Sequence, residues 1–136
     1  ILKCKCEVLY GNVKVHGDTP WAKDGTVYSG KFDFYKFFKS NICHQSIFYN
    51  RDFIRKNRLF FDLKFPLSSD WDFNFRCWNK TQFRYIERVV AIFYSGGFSS
   101  VNSNDPFLLE RKKYLTLNRR VKEYLRKKIY STFNLG

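Results

Sequence analysis

Methionine is absent from all 136 residues, position 1 included. The chain opens on Ile1 and runs straight into strand-like sequence, with no leader of the secretory kind. Such a start is expected of a processed piece, or of a portion of a larger domain. No apolar run approaches the ~20 residues that span a bilayer. Phosphate-cradling glycine loops are missing too, since neither G-x-x-x-x-G-K nor G-x-G-x-x-G occurs. The four cysteines, Cys4, Cys6, Cys43 and Cys77, contain no C-x-x-C pair. Cys4 and Cys6 stand closer together than zinc-knuckle ligands do. Buried, reduced thiols in a cytosolic protein are the expectation. No internal repeat or inter-domain linker divides the chain, which reads as one domain or part of one.

Acidic residues are scarce: 12 Asp and Glu stand against 25 Lys and Arg, a formal net charge of +13. That balance favours polyanions, anionic membrane surfaces or anionic small molecules as partners and says nothing about fold. Aromatics, by contrast, make up 21% of the chain. A length of 136 residues permits a real core.

Residues 1–16 alternate apolar with charged or polar side chains around Tyr10-Gly11-Asn12, which predicts strand, turn or bulge, strand. A short hairpin fits Thr26-Val27-Tyr28. Asp33 signals the start of a short helix over residues 32–39, with Phe32, Tyr35 and Phe38 at helical spacing. Residues 41–49 alternate as a strand does, placing Ile42, His44, Ser46 and Phe48 on one face. Asn50-Arg51-Asp52 starts a brief helix that ends near Lys56-Asn57. Residues 82–94 give the longest strand signal, and Val89-Val90-Ala91-Ile92-Phe93 predicts burial on both faces in a sheet interior. From Asp105-Pro106 a long amphipathic helix is predicted, carrying nine Lys or Arg between Arg111 and Lys128.

The stretch Ser68 to Arg76 holds the densest chemistry. Ser69 suits an N-cap, which puts Asp70 in the first turn, where the helix end favours a carboxylate. Asp72 and Arg76 fall four apart and pair along the helix, while Trp71, Phe75 and Trp78 form an apolar stripe. Asp70 is left as the acid with no partner along the helix. Its structural reading is capping chemistry; its functional reading is a base. His44 is a general base, a metal ligand or a satisfied core histidine. Cys43 and His44, as strand neighbours, point to opposite faces and make no nucleophile–base dyad. Gly96-Gly97 follows a strand and permits unusual backbone angles or close approach of a ligand.

His44-Gln45, then Asp70 with Arg76 six residues on, then an apolar strand, then Gly96-Gly97-x-Ser99, preceded by Tyr10-Gly11-Asn12, form an ordered set over about residues 8–100. The set resembles the second half of a bacterial family-2 glycosyltransferase of the kind that builds cell-surface polysaccharide. The resemblance implies an α/β fold: a partial GT-A domain over residues 1–104, a mixed sheet with flanking helices, followed by a basic amphipathic C-terminal helix over 105–136. It implies a nucleotide-diphospho-sugar donor, a polysaccharide or lipid-linked glycan acceptor, and inverting displacement with Asp70 as general base. His44 and Gln45 would line the site, Gly96, Gly97 and Ser99 would close over it, and Asp72 with Arg76 would support the helix. A divalent cation, Mg or Mn, is implied for a longer parent enzyme. No D-x-D precedes the Tyr10-Gly11 strand, and Asp70-Trp71-Asp72 spells that motif on a helix, so no metal ligands are expected in this chain. By itself the chain is expected to be inactive. The resemblance places the enzyme in the cytoplasm, peripheral to the inner face of the membrane through 105–136. Open sheet edges invite homo-oligomers. The reading from another class is a basic, aromatic-rich nucleic-acid-binding module, and the chain carries no base-reading motif to favour it.

Overall fold

The computed structural model describes residues 6–28, 30–97 and 106–112. The chain is mixed α/β, built around one strand. That strand, β1 (Val8–His16), is continuous through Tyr10-Gly11-Asn12. Along one edge it pairs antiparallel with β2 (Val27–Tyr28) at Val13 and Lys14, and with β3 (Ile47–Tyr49) at Val8 to Tyr10. Along the other edge it pairs in parallel with β4 (Phe83–Tyr94), from Val8 opposite Phe83 to His16 opposite Tyr94. The irregularity expected at Tyr10-Gly11-Asn12 is a register shift against β4 rather than a turn. Gly11 is required there. A Cβ at position 11 would stand 2.7 Å from the Arg88 carbonyl oxygen and 2.8 Å from Val90 Cγ1.

Aromatic side chains of two helices pack on this sheet, where Phe37 and Trp78 meet Phe83 and Phe73 meets Tyr49. α1 (Phe34–Lys39) starts where Asp33 accepts a hydrogen bond from the Lys36 N–H. Its buried face differs from the expected stripe: Phe37 is fully buried, whereas Tyr35 is exposed. α2 (Arg51–Lys56) is capped by Asn50, whose side chain accepts from the N–H groups of Asp52 and Phe53. α3 (Ser69–Trp78) lies deepest. Its Phe75 ring centroid sits 4.5 Å from that of Phe37, and the Trp78 centroid sits 4.9 Å from the same ring, so the predicted stripe is a core contact. Burying one such ring stabilises the fold by about 1.5–3 kcal/mol.

Two strand expectations are corrected. Residues 41–49 are not one strand, because His44–Ser46 form a 3-10 turn ahead of β3. Ser46 donates its hydroxyl to the Cys43 carbonyl 2.9 Å away, a local bond that competes with strand pairing. The apolar run of β4 does not enter a sheet interior either. Among the described residues β4 pairs with β1 alone, and Val89 and Ile92 are about half exposed.

The predicted helix over 105–136 lies mostly outside the described residues. Its start, α4 (Phe107–Glu110), buries Phe107 against Phe65 and Trp71. Arg111 lies over the Phe38 and Trp71 rings, so this first turn docks on the core. No helix among the described residues is long and apolar enough to cross a membrane. Cys6 is disulfide-bonded, which corrects the expectation of reduced thiols at that position, while Cys43 and Cys77 are free.

Candidate active site

Asp70 sits in the first turn of α3, one residue deeper than a Ser69 cap would place it. The helix begins at Ser69, and the actual N-cap, Ser68, makes no side-chain capping bond. Asp70 takes that role itself, since its Oδ1 accepts from the Trp71 N–H at 2.8 Å. One orphan donor of the helix end is thereby satisfied. The capping reading of this acid is therefore realised through its own side chain.

The other oxygen faces a polar cluster. Asn41 Nδ2 donates to Asp70 Oδ2 at 3.0 Å, and His44 Nδ1 lies 3.5 Å from the same oxygen. Asp70 is therefore not the unpartnered acid that helix spacing alone suggested. Behind Asn41 the bonds continue inward. Asn74 Nδ2 donates to Asn41 Oδ1 at 3.0 Å, and the Tyr49 hydroxyl donates to Asn74 Oδ1. Asn74 is one helical turn below Asp70 and wholly buried.

These groups open into a cleft of about 570 Å³. Asn41, His44, Ser68 and Asp70 supply polar lining, and Trp21, Tyr28, Phe93 and Trp71 supply aromatic walls. The Trp21 ring packs against Tyr28 and Phe93 at centroid distances of 4.9 and 5.2 Å. Tyr28 donates its hydroxyl to the Asn41 carbonyl at 2.7 Å, and the Trp71 indole N–H donates to the Phe37 carbonyl at 3.0 Å. Both walls are thus anchored to the segments that carry the polar groups. The Asp70 side chain is 27% exposed, open enough to meet a ligand and enclosed enough to be oriented.

Protonation follows from these contacts. The hydrogen bond to Asp70 raises the His44 pKa above its ordinary 6.5, against a smaller opposing effect of burial. Burial pushes the Cys43 thiol up, so it stays neutral beside His44. The strand argument against a Cys43–His44 dyad no longer applies, but a neutral thiol makes a poor nucleophile. Burial drives the Tyr49 phenol well upward and the Cys77 thiol up to about 12.

The remaining predicted residues divide. Asp72 and Arg76 form the expected pair, with Arg76 Nε 2.8 Å and Nη2 2.7 Å from Asp72 Oδ2. Arg76 also donates to the Phe60 carbonyl, which ties α3 to the loop ahead of it. Gln45 is exposed in the 3-10 turn and does not line the cleft. Gly96 takes a positive φ of 89°, but Gly96 and Gly97 are exposed and also lie outside the cleft lining. Ser99 falls outside the described residues. Asn41, Asn74 and Tyr49 were not singled out by motif. The one available signal was Asn74, a polar side chain set between Phe73 and Phe75 and four residues from Asp70. Among the described residues no group of three or more His, Cys, Asp or Glu is placed to hold a metal ion. The His44–Asp70 pair falls short of a divalent-cation site.

Over 98 residues, 69% of the chain, it is 36% identical to a PGL/p-HBAD biosynthesis glycosyltransferase of Mycobacterium bovis (strain BCG / Pasteur 1173P2). The same identity and coverage hold for a PGL/p-HBAD biosynthesis glycosyltransferase of Mycobacterium tuberculosis (strain ATCC 25177 / H37Ra). The chain is related to glycosyltransferases. It spans 38% of the length of these relatives. No family model and no solved structure matches it.

Proposed function

We propose that the chain is the acceptor-side portion of a family-2, GT-A-type glycosyltransferase in which Asp70 is the general base. The observation that carries this reading is the placement of Asp70. An oriented carboxylate opens into an aromatic-walled cleft, in a chain that shares 36% identity with glycosyltransferases.

In the proposed reaction an acceptor hydroxyl attacks the anomeric carbon of a nucleotide-diphospho-sugar. The new carbon–oxygen bond forms as the bond to the diphosphate breaks, and the leaving group keeps the electron pair. The hydroxyl proton passes to Asp70. Oδ1 accepts from the Trp71 N–H and Oδ2 from Asn41 with His44 beside it, so the carboxylate is held in place while lone pairs remain to take the proton. His44 lies beside Asp70 Oδ2 in the wall of the cleft. Asp72 and Arg76 brace the helix from its far side. The donor site and the ligands of any divalent cation are assigned to parts of the longer enzyme beyond these residues.

The acceptor is proposed to be a polysaccharide or lipid-linked glycan at the cytoplasmic face of a membrane, with the basic segment 105–136 as a peripheral contact. Self-association through the outer edge of β4 belongs to the same reading. Direct displacement assisted by one base inverts the anomeric centre. NMR of the product made by the longer enzyme is expected to show the configuration opposite to that of the donor. Retained configuration would contradict the mechanism.

A further inference from the structure

The hydrogen bonds behind Asp70 run in one direction, and the charge at one end sets that direction. An ionised carboxylate can only accept. Asn41 must therefore turn its NH2 toward Asp70, which leaves Asn41 Oδ1 facing Asn74. Asn74 must in turn present its NH2 to Asn41, so its own Oδ1 faces the Tyr49 hydroxyl, which donates. No member can reverse without setting donor against donor or acceptor against acceptor.

The series also joins three separate pieces of the fold. Tyr49 ends β3, Asn41 lies in the segment between α1 and the 3-10 turn, and Asn74 is in α3. Asn74 is wholly buried among aromatic rings, where an unsatisfied amide is costly. The burial that raises the Tyr49 phenol keeps it a donor across the ordinary pH range.

We propose that Tyr49, Asn74 and Asn41 are positioning residues, a one-way relay that fixes the direction in which Asp70 presents its carboxylate to the cleft. The relay couples the base to the sheet, so the rotamer of Asp70 is set by β3 as well as by its own helix. A carboxylate held at Oδ2 by Asn41 and at Oδ1 by the Trp71 N–H meets the acceptor without a search over rotamers, and displacement of a reacting group by 1 Å can cost ~100-fold in rate. The catalytic part of the proposal rests on Asp70 being the base; the geometric part does not.

The chain carries its own probe, because its two histidines divide the labour. His44 faces Asp70, while His16 lies 3.6 Å from Asp24 and outside the relay. Titrating both imidazoles by NMR in the wild-type chain, in Asn74→Ala and in Tyr49→Phe reads the relay directly. Neither substituted side chain bonds to His44. The expected result is a fall of the His44 midpoint toward 6.5 in both variants, with His16 unmoved. Tyr49→Phe removes a single hydroxyl and keeps the test open should Asn74→Ala fail to fold. An unmoved His44 midpoint in folded Tyr49→Phe overturns the relay. In the longer enzyme the same variant is expected to lose ~10–100-fold in kcat with donor KM unchanged. Wild-type kcat in that variant overturns the positioning role even where the titration has moved. Failure of Asp70 as base would instead show in Asp70 variants and leave the His44 titration as a separate result.

Discussion

His44 and Asp70 approach within 3.5 Å at the lip of the cleft, and this contact makes a pH-dependent contribution to stability. The folded-state pKa of His44 is raised above 6.5, so the contribution is complete below 6.5 and is lost as pH rises through the higher folded value. Its size is modest, because the imidazole is well exposed and solvent screens the pair. Urea midpoints of the wild-type chain and of His44→Gln, compared above the carboxylate titration range, are expected to differ on the acid side and to converge as pH rises. A constant difference would contradict the pairing. At this scale the sequence was partly legible. Asp72 and Arg76 were readable as a pair because i,i+4 spacing dictates the contact. The partners of Asp70 were not, since Asn41 and His44 reach it from 29 and 26 positions away and no periodicity encodes such a meeting.

At the scale of elements, α3 and the β1–β4 pair decide where the cleft lies. Gly11 lets β4 approach β1 at the register shift, with a backbone oxygen 2.7 Å from where a Cβ would stand. A carbonyl held in a strand yields less easily than a side-chain tip. Gly11→Ala is therefore expected to cost about 1–3 kcal/mol, read as a lowered urea midpoint. An unchanged midpoint would mean that β4 shifts freely. Helix starts at Asp33 and Asn50 were legible because capping patterns are local, and the Trp71-Phe75-Trp78 stripe located the third helix, although Ser69 opens it rather than capping it. The strand over 41–49 was not, although its alternation is real. Ser46 is buried and bonded to the Cys43 carbonyl, so local side-chain chemistry turns the backbone where period-two patterning predicts extension. In β4, apolar composition was mistaken for burial. Composition sets what a strand can bury, and its neighbours decide what it does bury.

For the whole molecule, one aromatic core joins the sheet, α1, α3 and the first turn of the basic segment. Phe37, Phe75 and Phe107 are each fully buried, and Phe75 contacts both of the others. That core fixes Trp71 and Asp70 on one helix at the mouth of the cleft. The chain spans 38% of the length of its glycosyltransferase relatives, and the chemistry proposed for Asp70 is that of a longer enzyme of this kind. The central claim is that Asp70 takes the acceptor's proton. Asp70→Asn keeps the shape of the side chain and removes the base. The most direct measurement is turnover and donor binding of this variant in the longer enzyme. The account predicts loss of nearly all turnover with donor affinity largely retained. Turnover at the wild-type rate would clear Asp70 of the role.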